Sequence, residues 1–301
     1  MILFDELVDQ ALQSAPEFAP LRVVVEKELL HHDIMRVLST AGLLTHLCFI
    51  GGTCLRACYG SNRLSEDLVF TGGAEFSREQ LTSMASVLVE SLKAKYGLEV
   101  SVTEPTLEKN NVDTWKLKVQ TRPARRDIRA QRIHIDVCSV PSYQVRPTLL
   151  LNPYGVDMGT NGLVLGAQSR EEIFADKIVA FALRPNRLKN RDLWDIAWLH
   201  QQRIKPALEL IALKLKDHHA SPDEYLKSFA HRVTALSEQP EMVQDFREEM
   251  SRFLSSYLVK ETVYSDPFWE SLCNLMASCL DQVKRALEKD DFKSADNTFS
   301  L

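Results

Sequence analysis

The chain is poor in residues that break regular structure. Its 301 residues include 11 glycines and 12 prolines, 23 in all, where an average protein of this length carries about 36. So few breakers disfavour a turn-rich all-β fold and point to helices. Long apolar runs are missing too, and none approaches the roughly 18 residues needed to span a bilayer. The opening Met1-Ile2-Leu3-Phe4-Asp5-Glu6 has no basic stretch of the kind that begins a secretory leader. No Cys-x-x-Cys pair occurs, and no His stands at zinc-finger spacing from a Cys. Cys48, Cys54, Cys58, Cys138, Cys273 and Cys279 lie in apolar stretches and read as buried, reduced thiols. The expectation is a soluble cytoplasmic protein. An apolar content of 45% with 26% charged residues excludes disorder of the whole chain. The length suggests two domains.

Excess positive charge is also lacking, since the net charge is −5, yet it is unevenly spread. Lys116, Lys118, Arg122, Arg125, Arg126, Arg129 and Arg132 crowd into 115–133 against the single Asp127. Arg184, Arg187, Lys189 and Arg191 crowd into 184–191 with no acid among them. An acidic chain with two basic segments implies a local polyanion site rather than general coating of nucleic acid.

Apolar spacing predicts a helix over 21–45, then a short buried strand over 46–50. Gly51-Gly52 leads into a short helix over 53–59, and a second strand runs over 67–71. Ser77, with Gln80 three residues on, has the form of a capping box for a helix that reaches Tyr96. Strands follow over 98–103, 112–120 and 131–138. The last alternates cleanly, with Ile133, Ile135 and Val137 on one face and Arg132, His134 and Asp136 on the other. Residues 121–130 read as the tip of an extended hairpin. From Ser169 the pattern is helical, over 169–183, 190–202, 206–217, 222–236, 239–258 and 268–288, with a polar tail over 289–301. The fold class is α+β. A mixed sheet with flanking helices occupies 1–165 and a helical domain occupies 166–301.

Three clusters carry chemistry. Phe49-Ile50-Gly51-Gly52-Thr53 takes a strand into a helix through two glycines, where backbone can approach a ligand and a helix N-terminus favours an anion. Asp67 opens an apolar strand, an unfavourable place for an unpaired carboxylate. Asp136 interrupts another strand in the same way. Two strand carboxylates behind a glycine turn suit a divalent cation with oxygen ligands, as Mg²⁺ prefers.

Gly51-Gly52-Thr53-Cys54-Leu55-Arg56 followed by Arg63-Leu64-Ser65-Glu66-Asp67-Leu68-Val69-Phe70 resembles the AbiEii/AbiGii toxin family of nucleotidyltransferases, within the DNA polymerase β-like superfamily. Arg132-Ile133-His134-Ile135-Asp136-Val137 resembles that family's strand with a third Asp. Glu172-Ile173-Phe174-Ala175-Asp176-Lys177 resembles its helix with a nucleotide-contacting Lys. Lys189-Asn190-Arg191-Asp192-Leu193-Trp194-Asp195 resembles its Arg-Asp-x-x-Asp motif. The matches run in family order over 49–198. The resemblance implies a toxin of a bacterial toxin–antitoxin or abortive-infection system, with a cognate antitoxin. Such a toxin moves a nucleoside monophosphate from an NTP to an RNA, with a tRNA 3′ end as one candidate acceptor. It implies catalytic roles for Asp67, Asp136, Lys177 and Asp192, and Mg²⁺ ligation by Asp67 and Asp136. Gly51, Gly52, Thr53, Ser65, Lys177 and Arg191 would bind nucleotide. Arg56 and Arg63 would reach phosphates or pair with Asp67, and Asp195 would partner Arg191.

One residue departs from the family pattern. The second carboxylate of the strand motif should stand at position 69, where this chain has Val69. Nucleotidyl transfer uses two ions about 4 Å apart, and valine ligates neither. Glu66 does not substitute, because strand alternation turns it to the other face. The expectation is weakened turnover. Val69 is either native to a pseudoenzyme that still binds nucleotide, or a substitution that tames a harmful activity. A transferase acting on a small molecule or a protein is the other alternative, and it would lack the steep salt dependence of RNA binding.

Overall fold

A computed structural model of the chain describes residues 4–106, 111–123, 125, 129–185 and 187–298. It divides into two units. The first is 1–168 with 253–255; the second is 169–252 with 256–301.

The first unit is built on a seven-stranded mixed sheet. Its strands are β1 (Cys48–Phe49), β2 (Leu68–Thr71), β3 (Val100–Thr103), β4 (Val112–Val119), β5 (Gln131–Cys138), β6 (Val145–Leu149) and β7 (Val164–Gln168). The sheet order is β3-β4-β5-β2-β1-β7-β6. β2 runs parallel to β5 and β1 parallel to β7; the other neighbours are antiparallel. Its helices are α1 (Phe4–Ser14), α2 (Arg22–Thr40), α3 (Gly51–Tyr59) and α4 (Met84–Tyr96). Alternation decides which side of the central strands is core. Leu68 and Phe70 of β2, Trp115, Leu117 and Val119 of β4, and Ile133, Ile135 and Val137 of β5 are buried. Lys116, Lys118, Arg132 and His134, on the opposite side, are exposed.

Polar anchors brace this core. Glu26 of α2 is buried and accepts hydrogen bonds from Thr121 Oγ1 (3.2 Å), Gln131 Nε2 (2.6 Å) and Arg122 Nη2, so it ties both stems of the β4–β5 hairpin to one helix. Glu28, two residues on and on the other side of the helix, accepts from Arg56 Nε (3.1 Å), Tyr154 Oη (2.5 Å) and the Ser65 amide (2.9 Å). This network fixes the loop entering β2.

The second unit is helical. It comprises α5 (Arg170–Leu183), α6 (Asn190–Gln201), α7 (Ile211–Asp217), α8 (Pro222–Glu238), α9 (Pro240–Met250), the single turn α10 (Ser256–Leu258) and α11 (Asp266–Thr298). Ser169 caps α5, its Oγ accepting the Glu172 amide at 3.1 Å. Lys214 is buried and bridges Glu172 (2.7 Å) and Asp176 (2.5 Å).

Several elements differ from the sequence reading. Ser77 heads a 3₁₀ turn, Arg78–Leu81, before α4 begins at Met84. Its hydroxyl bonds the Glu79 side chain and makes no capping bond to the backbone. The helix read over 239–258 is broken after α9, because 253–255 belongs to the first unit. α11 continues to Thr298, past the polar residues from Lys289. Of the basic hairpin tip, Arg126 and Asp127 lie outside the described residues.

Candidate active site

Parallel pairing of β2 with β5 sets Leu68 beside Ile135 and Val69 beside Asp136. Asp67, one residue before β2, continues the same ladder. Its Oδ1 accepts the backbone N–H of His134 at 2.9 Å, and His134 Nδ1 lies 3.7 Å away. Because register partners on parallel strands share a face, Asp67, Val69 and Asp136 project to one side, opposite the apolar core. Asp136 Oδ1 accepts the Thr114 hydroxyl of β4 at 2.7 Å. The second oxygen of each carboxylate takes no hydrogen bond among the described residues.

The glycine turn flanks this face. Ile50 N–H donates to the Val69 carbonyl at 2.9 Å, and α3 begins at the next residue. Gly51 has φ +76°, a left-handed conformation that disfavours any side chain. A Cβ placed on it would lie 3.9 Å from Val69 Cβ. The α3 N-terminus has no side-chain cap, so the amides of Gly51, Gly52 and Thr53 stand beside position 69 with the positive end of the helix dipole. The Thr53 and Ser65 hydroxyls are buried. They bond each other at 2.5 Å, and Thr53 Oγ1 also donates to the Asp67 carbonyl. In this arrangement both hydroxyls brace the main chain at Asp67.

Arg56, read from sequence as a phosphate contact or a partner for Asp67, is instead buried against Glu28 and donates to the Ser61 carbonyl at 3.0 Å. Arg63 is buried and donates to the Leu64 carbonyl at 3.0 Å. Glu66 takes Lys27 at 2.8 Å.

In the second unit Lys177 Nζ lies 2.5 Å from Asp192 Oδ1 and 2.9 Å from Asp195 Oδ2. Arg184 Nη2 holds the other Asp192 oxygen at 2.7 Å. Burial alone would push the Asp192 carboxyl up, but Lys177 and Arg184 outweigh it and hold the group at about 2. Asp195, read as a partner for Arg191, pairs with Lys177, while Arg191 Nε lies 3.4 Å from Glu249.

The carboxylate face lacks the ligands of the two-ion centre that the sequence resemblance implies. Among the described residues no three His, Cys, Asp or Glu side chains stand close enough to hold one ion. The face offers Asp67 and Asp136 with a valine between them. These residues fit at most a single, weakly held Mg²⁺, not a two-ion centre.

Sequence comparison decides the family. A family model described as nucleotidyl transferase AbiEii toxin, type IV toxin–antitoxin system, matches residues 33–274. The chain belongs to this family of nucleotidyltransferase toxins. Membership implies a cognate antitoxin. Among solved structures, the nucleotidyltransferase toxin MenT4 from Mycobacterium tuberculosis H37Rv is 20% identical, with a TM-score of 0.54, and the match covers 93% of this chain and 92% of that one. JHP933 from Helicobacter pylori is 16% identical, with a TM-score of 0.47, over 91% of this chain and 97% of that one. No curated protein sequence matches significantly. At 20% identity the likeness to MenT4 speaks for the fold alone. No helix among the described residues is long and apolar enough to cross a membrane.

Thr114, which orients Asp136, and Glu28, which orients the loop before Asp67, were not singled out from sequence. Both act through partners on distant segments, and no local pattern marks them.

Proposed function

We propose that this AbiEii-family chain transfers a nucleoside monophosphate from an NTP to an RNA acceptor, a tRNA 3′ end being one candidate, and that Val69 weakens the turnover. One observation carries the proposal. Asp67 and Asp136, both half-buried, share the sheet face opposite the core, with an uncapped helix N-terminus on one flank and exposed Lys116, Lys118, Arg132 and His134 on the other. The amides of Gly51, Gly52 and Thr53 suit a triphosphate. Ser65 keeps the loop before Asp67 in place. Asp67 and Asp136 are the ligands the chain retains for Mg²⁺, the proposed cofactor. Lys177 and Arg191 are the nucleotide contacts proposed for the second unit, and Asp192 holds Lys177 through an ion pair of 2.5 Å.

The valine favours a second reading, a pseudoenzyme that binds nucleotide without turning it over. Incubating the protein and its Val69→Asp variant with each labelled NTP and total cellular RNA tests both. Label on RNA that rises strongly in Val69→Asp supports the transferase. Nucleotide binding with no label from either protein supports the pseudoenzyme. Label on protein or a small molecule, insensitive to salt, would replace RNA as the acceptor.

A further inference from the structure

The open face of the sheet holds positive charge for which the fold gives no structural reason. In the β4–β5 register Lys116 stands across from His134 and Lys118 across from Arg132. Lys118 and Arg132 are like charges directly opposite on neighbouring strands, an arrangement that destabilises the pair. Among the described residues Lys116, Lys118, Arg129 and Arg132 have no carboxylate in ion-pair contact. Nearby cations are treated differently, since Arg122 is neutralised by Glu26 and Lys27 by Glu66.

Three of these unpaired cations converge. A cavity of about 750 Å³ opens at the hairpin stem, lined by Lys118, Arg129 and Arg132 with Gln120, Lys27 and one acid, Glu99. That volume is typical of a ligand site. Its floor is rigid, because Gln131 and Thr121 are both tied to buried Glu26. The cavity is concave and basic, with three cations whose N–H groups can meet phosphate oxygens. Those features suit a nucleic-acid backbone better than the protruding acidic surface of a protein.

The position matters as much as the charge. Arg132 lies four residues along β5 from Asp136, about 13 Å at the strand rise. A stacked strand covers that distance in about four phosphates. The NTP has its own place at the α3 N-terminus, on the opposite flank of the carboxylates.

We propose that this cavity is a second anion subsite that grips the acceptor RNA backbone about four nucleotides back from the end presented to Asp67 and Asp136. The inference rests on the RNA-acceptor reading. It makes acceptor length a determinant of recognition.

The test is binding, which needs no turnover. Fluorescence anisotropy with a labelled single-stranded RNA 12-mer and a trinucleotide compares the full chain with Lys118→Ala/Arg132→Ala, with Arg129→Ala and with the control Lys260→Ala. Melting curves verify folding, which substitution of exposed side chains should leave intact. The expected result is a loss of tenfold or more for the 12-mer in the double variant. Its log K against log salt slope should flatten by about 1.4, as for two lost contacts to a single strand. Arg129→Ala should show a smaller loss and Lys260→Ala none. The trinucleotide, too short to span the carboxylate face and the cavity together, should bind the native chain at least tenfold more weakly than the 12-mer. Equal 12-mer affinity in the native and double-variant chains would overturn the proposal. So would a trinucleotide that binds the native chain as tightly as the 12-mer, or polyglutamate binding as tightly as the 12-mer with the same losses. If the 12-mer loss is found but neither the native chain nor Val69→Asp transfers nucleotide, the transferase reading fails and the cavity remains an RNA-binding site without an acceptor role. Normal transfer to long RNA by the double variant sinks the subsite alone.

Discussion

Val69 is the register partner of Asp136 across the parallel β2–β5 ladder, with Gly51 on its other side. The one departure from the family's motif therefore sits at the centre of the carboxylate face. Valine is a good strand residue, so this position keeps the sheet and gives up a ligand. Val69→Asp should fold but, without metal, lose about 1 kcal/mol through repulsion by Asp67 and Asp136. That corresponds to a Tm lower by ~2–4 °C. Millimolar Mg²⁺ should raise the variant's Tm and leave the native chain nearly unmoved. Transfer should rise by about 10² or more. Calorimetry with and without Mg²⁺, beside labelled transfer and growth on induction, checks all three. A native chain as active as the variant would show that position 69 does not ligate metal.

Lys177 is counter-ion to two buried carboxylates as well as a candidate nucleotide contact. Lys177→Met should cost about 3–5 kcal/mol, because Asp192 and Asp195 lose a shared cation in a buried setting. The Asp192 carboxyl should rise from its value near 2. Lys177→Arg should recover most of the stability. Urea unfolding of the three proteins measures the first effect. Activity loss in Lys177→Arg at native stability would isolate a role in transfer from a role in folding.

Glu26 joins α2 to both stems of the basic hairpin. Glu26→Ala should destabilise the first unit by about 3–5 kcal/mol, since Arg122 and Gln131 lose their buried partner. Hydrogen exchange should quicken at Thr121 and Gln131 more than at β2. Uniform loss of protection across the sheet would mean Glu26 supports the whole core and not the hairpin in particular.

His31 and His32 of α2 give a pH signature. Burial is the largest cause for both, lowering His31 to about 3 and His32 to about 4. Nearby cations add to this, Lys27 for His31 and Arg56 and Lys95 for His32. The folded state thus holds them neutral while the unfolded chain protonates them near 6.5. Their stabilisation is fully present above about pH 6.5 and is lost progressively as pH falls toward 3–4. Tm should decline over that window. His31→Gln should flatten the decline, since glutamine can still donate to the Glu66 carbonyl that His31 meets at 3.0 Å. An unchanged slope in the variant would show that other groups set it.

How much of this was legible beforehand depended on distance along the chain. The alternation of β5 announced its two faces, because Ile133, Ile135 and Val137 are neighbours in sequence and share one core. The Gly51-Gly52 turn was legible for the same local reason. β6 and β7 were not. Arg146-Pro147 interrupts any alternation in β6, most of whose residues are exposed, and Gly166 shortens the apolar run of β7. The fate of Arg56 was equally hidden, since Glu28 and Tyr154, which hold it, are 28 and 98 residues away. The pairing of Val69 with Asp136 needs a strand register that no local spacing encodes. Only the resemblance to the family's motifs grouped the two.

The return of 253–255 to the first unit has a consequence for how the protein is made. The buried Leu64 amide, just before the strand that follows Asp67, donates to the Phe253 carbonyl at 2.9 Å. On the ribosome that acceptor is synthesised long after Gln168, roughly 4–17 s later at usual elongation rates. Until then the loop carrying Ser65 and Asp67 lacks one of its fastenings. A chain released early, or cut back to its first 168 residues, would have every motif of the carboxylate face and still be unfinished. In such a fragment the Leu64 amide has no Phe253 carbonyl to meet, while the Glu28 bond to the Ser65 amide remains.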